Sequence, residues 1–344
     1  MNGGLPMKMI KVEDAVGCIL SHDVTQIIPG EFKGRAFKKG HIIKEEDIQK
    51  LLNIGKEHIY VWEPKEGELH ENDAAIRISN LVVGEGVAKS EEIKEGKVDF
   101  FADRDGILRI DKEKLFTINS IGEIIVSTLH NNTPIKKGEK IGATRVIPLI
   151  IDEKPILKAE ELIKEKVIWV DEIKPKRCLL ITTGNEVYKG RIKDAFLPVI
   201  KAKLGYYGSE VIRQVILPDE KERIIEEIQK GLEEKVDMII CTGGMSVDPD
   251  DVTPTAIKES GGELVTYGSP ILPGAMFLLA YHNGTPILGV PSCAMYSKRT
   301  VLDLVLPRVL ADERLSFEDI AHYGHGGLCL DCDVCTFPHC SFGK

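Results

Sequence analysis

Two short stretches combine glycine, hydroxyl and carboxylate residues at a spacing suited to oxyanion chemistry. They are Thr182-Thr-Gly-Asn-Glu186 and Thr242-Gly-Gly-Met-Ser-Val-Asp-Pro-Asp-Asp-Val-Thr-Pro254. Each closes an apolar run, Arg177-Cys-Leu-Leu-Ile-Thr-Thr183 in one case and Asp237-Met-Ile-Ile-Cys-Thr242 in the other. Glycine lets the backbone come close to a ligand, and the N–H groups of the following turn can cradle a phosphate. Turn geometry and helix capping also use Gly and Asp, but two such loops in one region predict a ligand site. Glu186, Asp219, Asp250 and Asp251 are expected near the same edge. Their charge would repel a phosphate, and a bridging Mg²⁺ resolves that conflict.

A third constellation lies near the end of the chain. Cys329, Cys332, Cys335 and Cys340 are spaced C-x2-C-x2-C-x4-C. Four thiols this close, in a reducing compartment, point to a metal. The first three resemble the C-x2-C-x2-C run of bacterial ferredoxins, although the fourth is displaced and Pro338 precedes it. Zinc fits the spacing equally, with His322, His325 and His339 as substitute ligands. Free thiols, or soft sulfur ligands lent to a metal bound elsewhere, are the remaining readings. The other cysteines, Cys18, Cys178, Cys241 and Cys293, are scattered. Cys241 reads as a small apolar residue in a buried strand, whereas Cys293 falls in a loop near the expected site.

The elements that must hold the two glycine loops are legible around them. Arg177–Thr183 is apolar on both faces, as in a parallel strand covered by helices. A helix is predicted over 219–234, with Ile224, Ile225, Ile228 and Leu232 inward and Asp219 as its N-cap. Strands follow at 237–242 and 285–291, then a helix over 297–309 disturbed by Pro307. Strands alternating with helices predict an α/β domain over 173–315 with a doubly wound, mostly parallel sheet. Ligands bind such sheets at the carboxyl ends of the strands.

Smaller α+β or β-rich units are expected before it. Residues 1–64 hold a turn at Gly40, a helix with Ile48, Leu51 and Leu52 on one face, a Gly55 stop and a strand at His58–Trp62. An acidic linker runs from Glu63 to Asp73. The middle domain, 65–172, is β-rich with flanking helices: helices over 74–83 and 155–166, strands at 106–110 and 123–128, and a turn at 136–139. Residues 316–344 form a Cys-rich metal-binding tail. Trp62 and Trp169 read as core. Arg104 and Arg109 read as surface ion-pair residues, and Lys298 and Arg299 as the solvated or ligand-facing start of the last helix.

Composition narrows the function. Of the 344 residues 43% are hydrophobic and the net charge is −9, which argues against a general nucleic-acid binder. No apolar run is long enough to span a bilayer, and the first residues lack a secretion leader. A cytoplasmic protein without a disulfide scaffold is expected.

The order and spacing of the pieces in 173–315 resemble the molybdopterin-binding domain shared by molybdenum cofactor biosynthesis proteins. That family includes molybdopterin adenylyltransferases, molybdopterin molybdotransferases and the competence-damage-inducible type. Its strand-Thr-Gly-Asp-Glu loop resembles Thr183-Gly-Asn-Glu186, and its later Gly and Asp resemble Gly190 and Asp194. Asp219, Thr242-Gly243-Gly244 through Asp251-Val-Thr-Pro254, Pro273-Gly274 and Ile287-Leu-Gly-Val-Pro291 follow in the family's order. The stretch Gly40–Val61 is also similar to the N-terminal portion of molybdotransferases.

The resemblance implies roles. Thr183, Gly184, Thr242, Gly243 and Gly244 would hold the pterin's terminal phosphate or an adenylyl group, with Asp194, Pro273, Gly274 and Pro291 completing the ligand set. Ser246 and Thr253 would donate hydrogen bonds to phosphate. Glu186, Asp219 and Asp251 would hold Mg²⁺ or place molybdate, and Asp251 is the first choice for an essential residue. The implied activity is a molybdotransferase-like, Mg²⁺-dependent insertion of molybdate into molybdopterin by a homo-oligomer, a dimer or trimer. A molybdoenzyme or another cofactor-biosynthesis protein is the implied partner, with neither nucleic acid nor membrane involved. Departures are Asn185, Ala195-Phe196, Asp248, the Val290–Met295 turn and a missing Asp-Gly-Tyr-Ala signature. They keep two alternatives open: a non-catalytic carrier or sensor of molybdenum cofactor, and a nucleotide pyrophosphatase of the competence-damage type.

Overall fold

A computed structural model describes residues 8–28, 32–62, 65–93, 96–147, 149–246, 248 and 251–344. Asp250, and Glu63 and Pro64 of the acidic linker, lie outside the described residues. The strand expected at Arg177–Thr183 forms over those residues (β1). Its side chains alternate between two cores. Cys178 and Leu180 join one, and Leu179 and Ile181 the other. Period-two alternation with both faces apolar is what places a strand between two helical layers.

Five further strands complete the sheet: β2 Glu210–Leu217, β3 Met238–Thr242, β4 Glu263–Tyr267, β5 Leu278–His282 and β6 Thr285–Val290. Their order is β2-β1-β3-β6-β5-β4. The first four run parallel, while the β6–β5 and β5–β4 pairs are antiparallel. Helix α1, Phe196–Gly205, puts Ile200 and Leu204 into the first core, and α2, Lys221–Glu233, puts Ile224 and Ile228 into the second. Helices therefore cover both faces, as a doubly wound sheet requires. Each fully buried Ile or Leu contributes about 1.5–3 kcal/mol.

The expected cap of α2 is not Asp219. Glu220 stands at that position without a side-chain cap bond. The expected helix over 297–309 also differs. A 3₁₀ turn at Ser292–Met295 precedes α3, Val301–Leu310, which starts late because Thr300 and Asp303 form a capping box. Every residue of α3 is buried, the signature of an internal helix.

Contacts group residues into two compact units. One runs up to Phe101 and includes Asp111–Thr128 and Lys140–Ile168; the other comprises Ala102–Ile110, Leu129–Glu139 and Trp169–Lys344. The grouping thus differs from the sequential partition at 64 and 172. Within the first unit, Lys8–Lys11, His58–Trp62 and Ile19–Leu20 make a three-stranded antiparallel sheet over a core of Val12, Leu20, Leu51, Ile59 and Val61. The helix near residue 74 spans Glu71–Val82. Within the second unit, the strand Gly106–Ile110 pairs with Thr133–Ile135. Its Arg109 is buried, not at the surface as expected, and bonds Asp171 and Glu313 at 2.6 Å each. The residues after 316 are folded onto the α/β domain, since Ile320, Tyr323 and Phe342 sit in the first core. No helix among the described residues is long and apolar enough to cross a membrane.

Candidate functional site

Register sets the site. Thr182 pairs with Thr242, Thr183 with Leu217, and Thr242 with Val290. The carboxyl ends of β1, β2, β3 and β6 therefore finish level, and the loops after them meet. They surround a pocket of about 570 Å³, a size suited to a cofactor-sized molecule. β1 continues through α1 on one face of the sheet, and β2 through α2 on the other, so the pocket lies where the connections diverge.

Ten of the residues singled out in the sequence line this pocket: Thr183, Gly184, Glu186, Asp194, Asp219, Gly243, Gly244, Ser246, Asp251 and Pro291. The second loop is shaped by glycine. A Cβ on Gly243, whose φ is +85°, would stand 2.1 Å from the Thr183 carbonyl oxygen. At Gly244, φ +54°, a Cβ would meet the Thr253 and Thr183 hydroxyls at 2.9 and 3.1 Å. Only glycine adopts both the conformation and the approach without strain. Asp251 closes the loop, accepting a 2.9 Å bond from the Ser246 N–H.

Asp219 is the perturbed carboxylate of the site. Its Oδ2 accepts a 2.9 Å bond from the Asn185 N–H, which ties the β2 exit to the first loop. Its Oδ1 is buried and makes no hydrogen bond of good geometry, although the Thr183 hydroxyl lies close enough to ease its charge. Burial raises the Asp219 pKa above the usual carboxylate range, and the charges of Glu186 and Asp251 add to the shift. Asp219 therefore presents a buried oxygen without a hydrogen-bond partner to the pocket, with the charges of Glu186 and Asp251 acting on it.

Other expected residues are placed differently. Thr242 and Thr253 are fully buried beneath the pocket, where the Thr253 hydroxyl bonds that of Thr183 at 3.1 Å. Asp194 lines the wall, but its oxygens accept bonds from the Phe196 and Leu197 N–H groups and the Gln214 amide. It caps α1 and braces β2. Pro273 and Gly274 lie against the start of α3, where the Pro273 carbonyl accepts from Val301 N–H and a Cβ on Gly274 would meet Val301 Cγ1 at 2.5 Å. They shape the turn that carries Met276 to the pocket. Cys293 is partly buried, and burial raises its pKa.

Lys193, Met276 and Tyr296 line the pocket without having been singled out in the sequence. Lys193 is the one basic side chain among the described lining residues. Tyr267 also escaped notice, although its hydroxyl donates 3.1 Å bonds to the carbonyls of Met245 and Ser246. The proximity of Lys193 to the Asp194 loop was readable; the reach of Tyr267 was not, because nothing local in the sequence joins it to Met245.

Cys329, Cys332, Cys335 and Cys340 line a second, separate pocket. Among the described residues no three His, Cys, Asp or Glu side chains are placed to hold a metal ion.

Comparison with known proteins agrees with the resemblance of residues 173–315. Residues 179–311 match the family described as "Probable molybdopterin binding domain", and residues 9–63 match a domain of unknown function. A CinA-like protein of Thermosipho melanesiensis is 32% identical over 96 residues, covering 28% of this chain and 24% of that one. A molybdopterin molybdenumtransferase of Staphylococcus epidermidis is 29% identical over 111 residues, covering 32% and 26%. The chain spans a third or less of the length of these curated relatives and of the Pyrobaculum calidifontis protein that it also matches. Among solved structures, the molybdopterin biosynthesis enzyme MoaB of Thermus thermophilus is 20% identical, with a TM-score of 0.32, over 40% of this chain and 98% of that one. The segment from residue 179 to residue 311 belongs to the molybdopterin-binding domain family of molybdenum cofactor biosynthesis proteins.

Proposed function

We propose that the pocket above β1, β3 and β6 binds molybdopterin or its adenylylated form, and that the chain inserts molybdate into it with the help of Mg²⁺. The observation that carries this reading is the buried, unbonded Asp219 Oδ1 beside Glu186 and Asp251, directly against the glycine loop. Asp219 would hold the ion together with oxygens of the bound ligand, with the negative charges of Glu186 and Asp251 close by. Bound there, Mg²⁺ neutralises charge on phosphate and molybdate oxygens. The Gly243–Ser246 backbone lies open to the phosphate, the Thr183–Thr253 pair stiffens the floor beneath it, and Lys193 meets the anion from the rim. Positioning and charge neutralisation supply the rate, with no covalent intermediate. A cytoplasmic homo-oligomer that passes its product to a molybdoenzyme belongs to the same reading.

The test is a titration of the oxygen-free protein with molybdopterin, followed by an insertion assay with the adenylylated form, molybdate and Mg²⁺. Saturable binding lost in Gly244→Val supports the placement. Binding retained with turnover lost in Asp251→Asn supports the transferase. Binding without turnover in the wild type favours a carrier. The resemblance to CinA-like proteins supports a second reading, Mg²⁺-dependent nucleotide pyrophosphate hydrolysis; hydrolysis of ADP-ribose by a protein that ignores molybdopterin would establish it.

A further inference from the structure

The pocket at the sheet's carboxyl end has two unlike sides, and the topology decides which residues stand on each. The loops after β2 and β3 lead to α2 and to the helix Thr253–Glu259, whose Ile224, Ile228, Ala256 and Ile257 enter the second core. Asp219 and Asp251 therefore stand on that side. The loops before α1 and α3 lead to the first core, which holds Ile200, Leu204, Val301 and Leu302. Those loops bring Ile192, Met295 and Tyr296 to the pocket. β5 runs antiparallel to β6 with Leu278 paired to Gly289, so Met276, two residues ahead, stands at the level of the Pro291 turn. The Gly243–Ser246 backbone leaves from β3, the strand between β1 and β6.

Tyr296 is the unusual member of this set. Its ring lines the pocket yet is 81% exposed, so it adds little to the core. The 3₁₀ turn Ser292–Met295 fixes its place, and the Tyr296 N–H donates to the Cys293 carbonyl at 3.1 Å. Ile192 is exposed as well, while Met276 and Met295 are partly buried. Scattered apolar residues at a surface need no explanation, but an aromatic ring and three apolar side chains around one pocket mark a surface that a ligand covers. A phenol offers a flat π-face and thioethers are pliable and polarisable, which together suit a planar ring. A pocket of about 570 Å³ has room for such a ring beside a phosphate. We infer that Tyr296, with Ile192, Met276 and Met295, forms the ring-binding half of this pocket, and that its ligand joins a planar heteroaromatic ring to a phosphate held at Gly243–Ser246. This rests on the proposed phosphate site and adds an orientation: the ring lies on the side of the first core, away from Asp219 and Asp251. A pterin and a nucleotide base share that chemistry. The Val290–Met295 turn that sets Tyr296 in place departs from the family's pattern, so the contact is a property of this chain.

The full chain is titrated with molybdopterin and with AMP as wild type, Tyr296→Ala, Tyr296→Phe and Gly244→Val, with circular dichroism confirming the fold of each. Tyr296→Ala should weaken binding about 10- to 100-fold, the scale of one base stacked on one aromatic side chain. Tyr296→Phe should bind as the wild type does, because stacking uses the ring and not the hydroxyl. A loss seen with molybdopterin identifies a pterin, and one seen only with AMP identifies a nucleotide base. Equal affinity in wild type and Tyr296→Ala, with binding lost in Gly244→Val, would overturn the ring placement and leave the phosphate site standing. A loss in Tyr296→Phe as large as in Tyr296→Ala would overturn stacking in favour of a hydroxyl contact. A wild type that binds neither molybdopterin nor AMP would overturn both the ring placement and the function it rests on.

Discussion

The α/β pocket and the cysteine-lined pocket meet opposite electrostatic problems with different kinds of scaffold. In the first, Glu186, Asp219 and Asp251 crowd at the ends of parallel strands, and the one basic side chain among the described lining residues is Lys193. The negative charge on that wall exceeds the positive charge beside it. In the second, the thiols belong to irregular chain, and Lys298 and Arg299 from the adjoining segment already stand over them. A sheet can hold like charges together because its backbone is paid for by a large core. A coil cannot, so its charges come with partners. The difference teaches that the first pocket carries unbalanced negative charge among its described lining residues, while basic side chains already contact the chain that carries the thiols of the second.

If that contrast is right, each pocket can be broken alone. The largest effect is expected from Gly244→Val, which drives a branched side chain toward the Thr253 and Thr183 hydroxyls. Molybdopterin affinity should fall at least about 100-fold, or about 2.7 kcal/mol, by fluorescence titration, with circular dichroism unchanged from the wild type. Next comes Asp251→Asn. Turnover should drop by about two orders of magnitude, on the scale expected for lost metal-assisted charge stabilisation, with binding changed far less. Equal losses in both would show that Asp251 serves only the loop.

Asp219→Asn sharpens the comparison through stability. Because the folded carboxyl has a raised pKa, it binds its proton more tightly folded than unfolded. The stability it contributes is present below the ordinary Asp range and is lost as pH rises through the raised value. The variant should therefore melt higher than the metal-free wild type near neutrality and equal to it in acid. Added Mg²⁺ should raise the melting temperature of the wild type and not of the variant. A wild type that melts higher at neutral pH without metal would contradict the repulsion. Lys193→Ala should weaken binding about three- to tenfold, with the difference shrinking at high salt because the side chain is exposed. The smallest effect is expected for Tyr267→Phe. Losing its bonds to Met245 and Ser246 should cost roughly 0.5–1.5 kcal/mol and appear as faster ligand release rather than slower capture.

Much of the α/β region was readable because its signals are local. Arg177–Thr183 and His58–Trp62 form as strands over the expected residues, since alternation and β-branching act within a few positions. The Ile224–Ile228 face of α2 lies inward for the same reason. The order of Thr-Gly and Gly-Gly loops was enough to place ten residues on one wall. What each does there was less readable. Asp194 sits where a ligand residue was expected, yet it serves the backbone of α1 and Gln214. Thr253 seemed free to reach a phosphate and is instead sealed beneath the loop.

The sequence by itself determined which segments become strands and helices, and that two glycine loops and a cysteine run exist to be used. Those properties follow from periodicity, turn chemistry and spacing, all of short range. Only the tertiary structure decided which polar groups face a ligand and which face each other. That choice rests on strand register. Pairing Thr182 with Thr242 brings positions sixty residues apart to one level, and a slip of one residue would turn every side chain on the strand to the opposite face. Likewise, only the folded chain brings Arg299 to Cys335, because that contact depends on where α3 begins and not on any pattern in the tail.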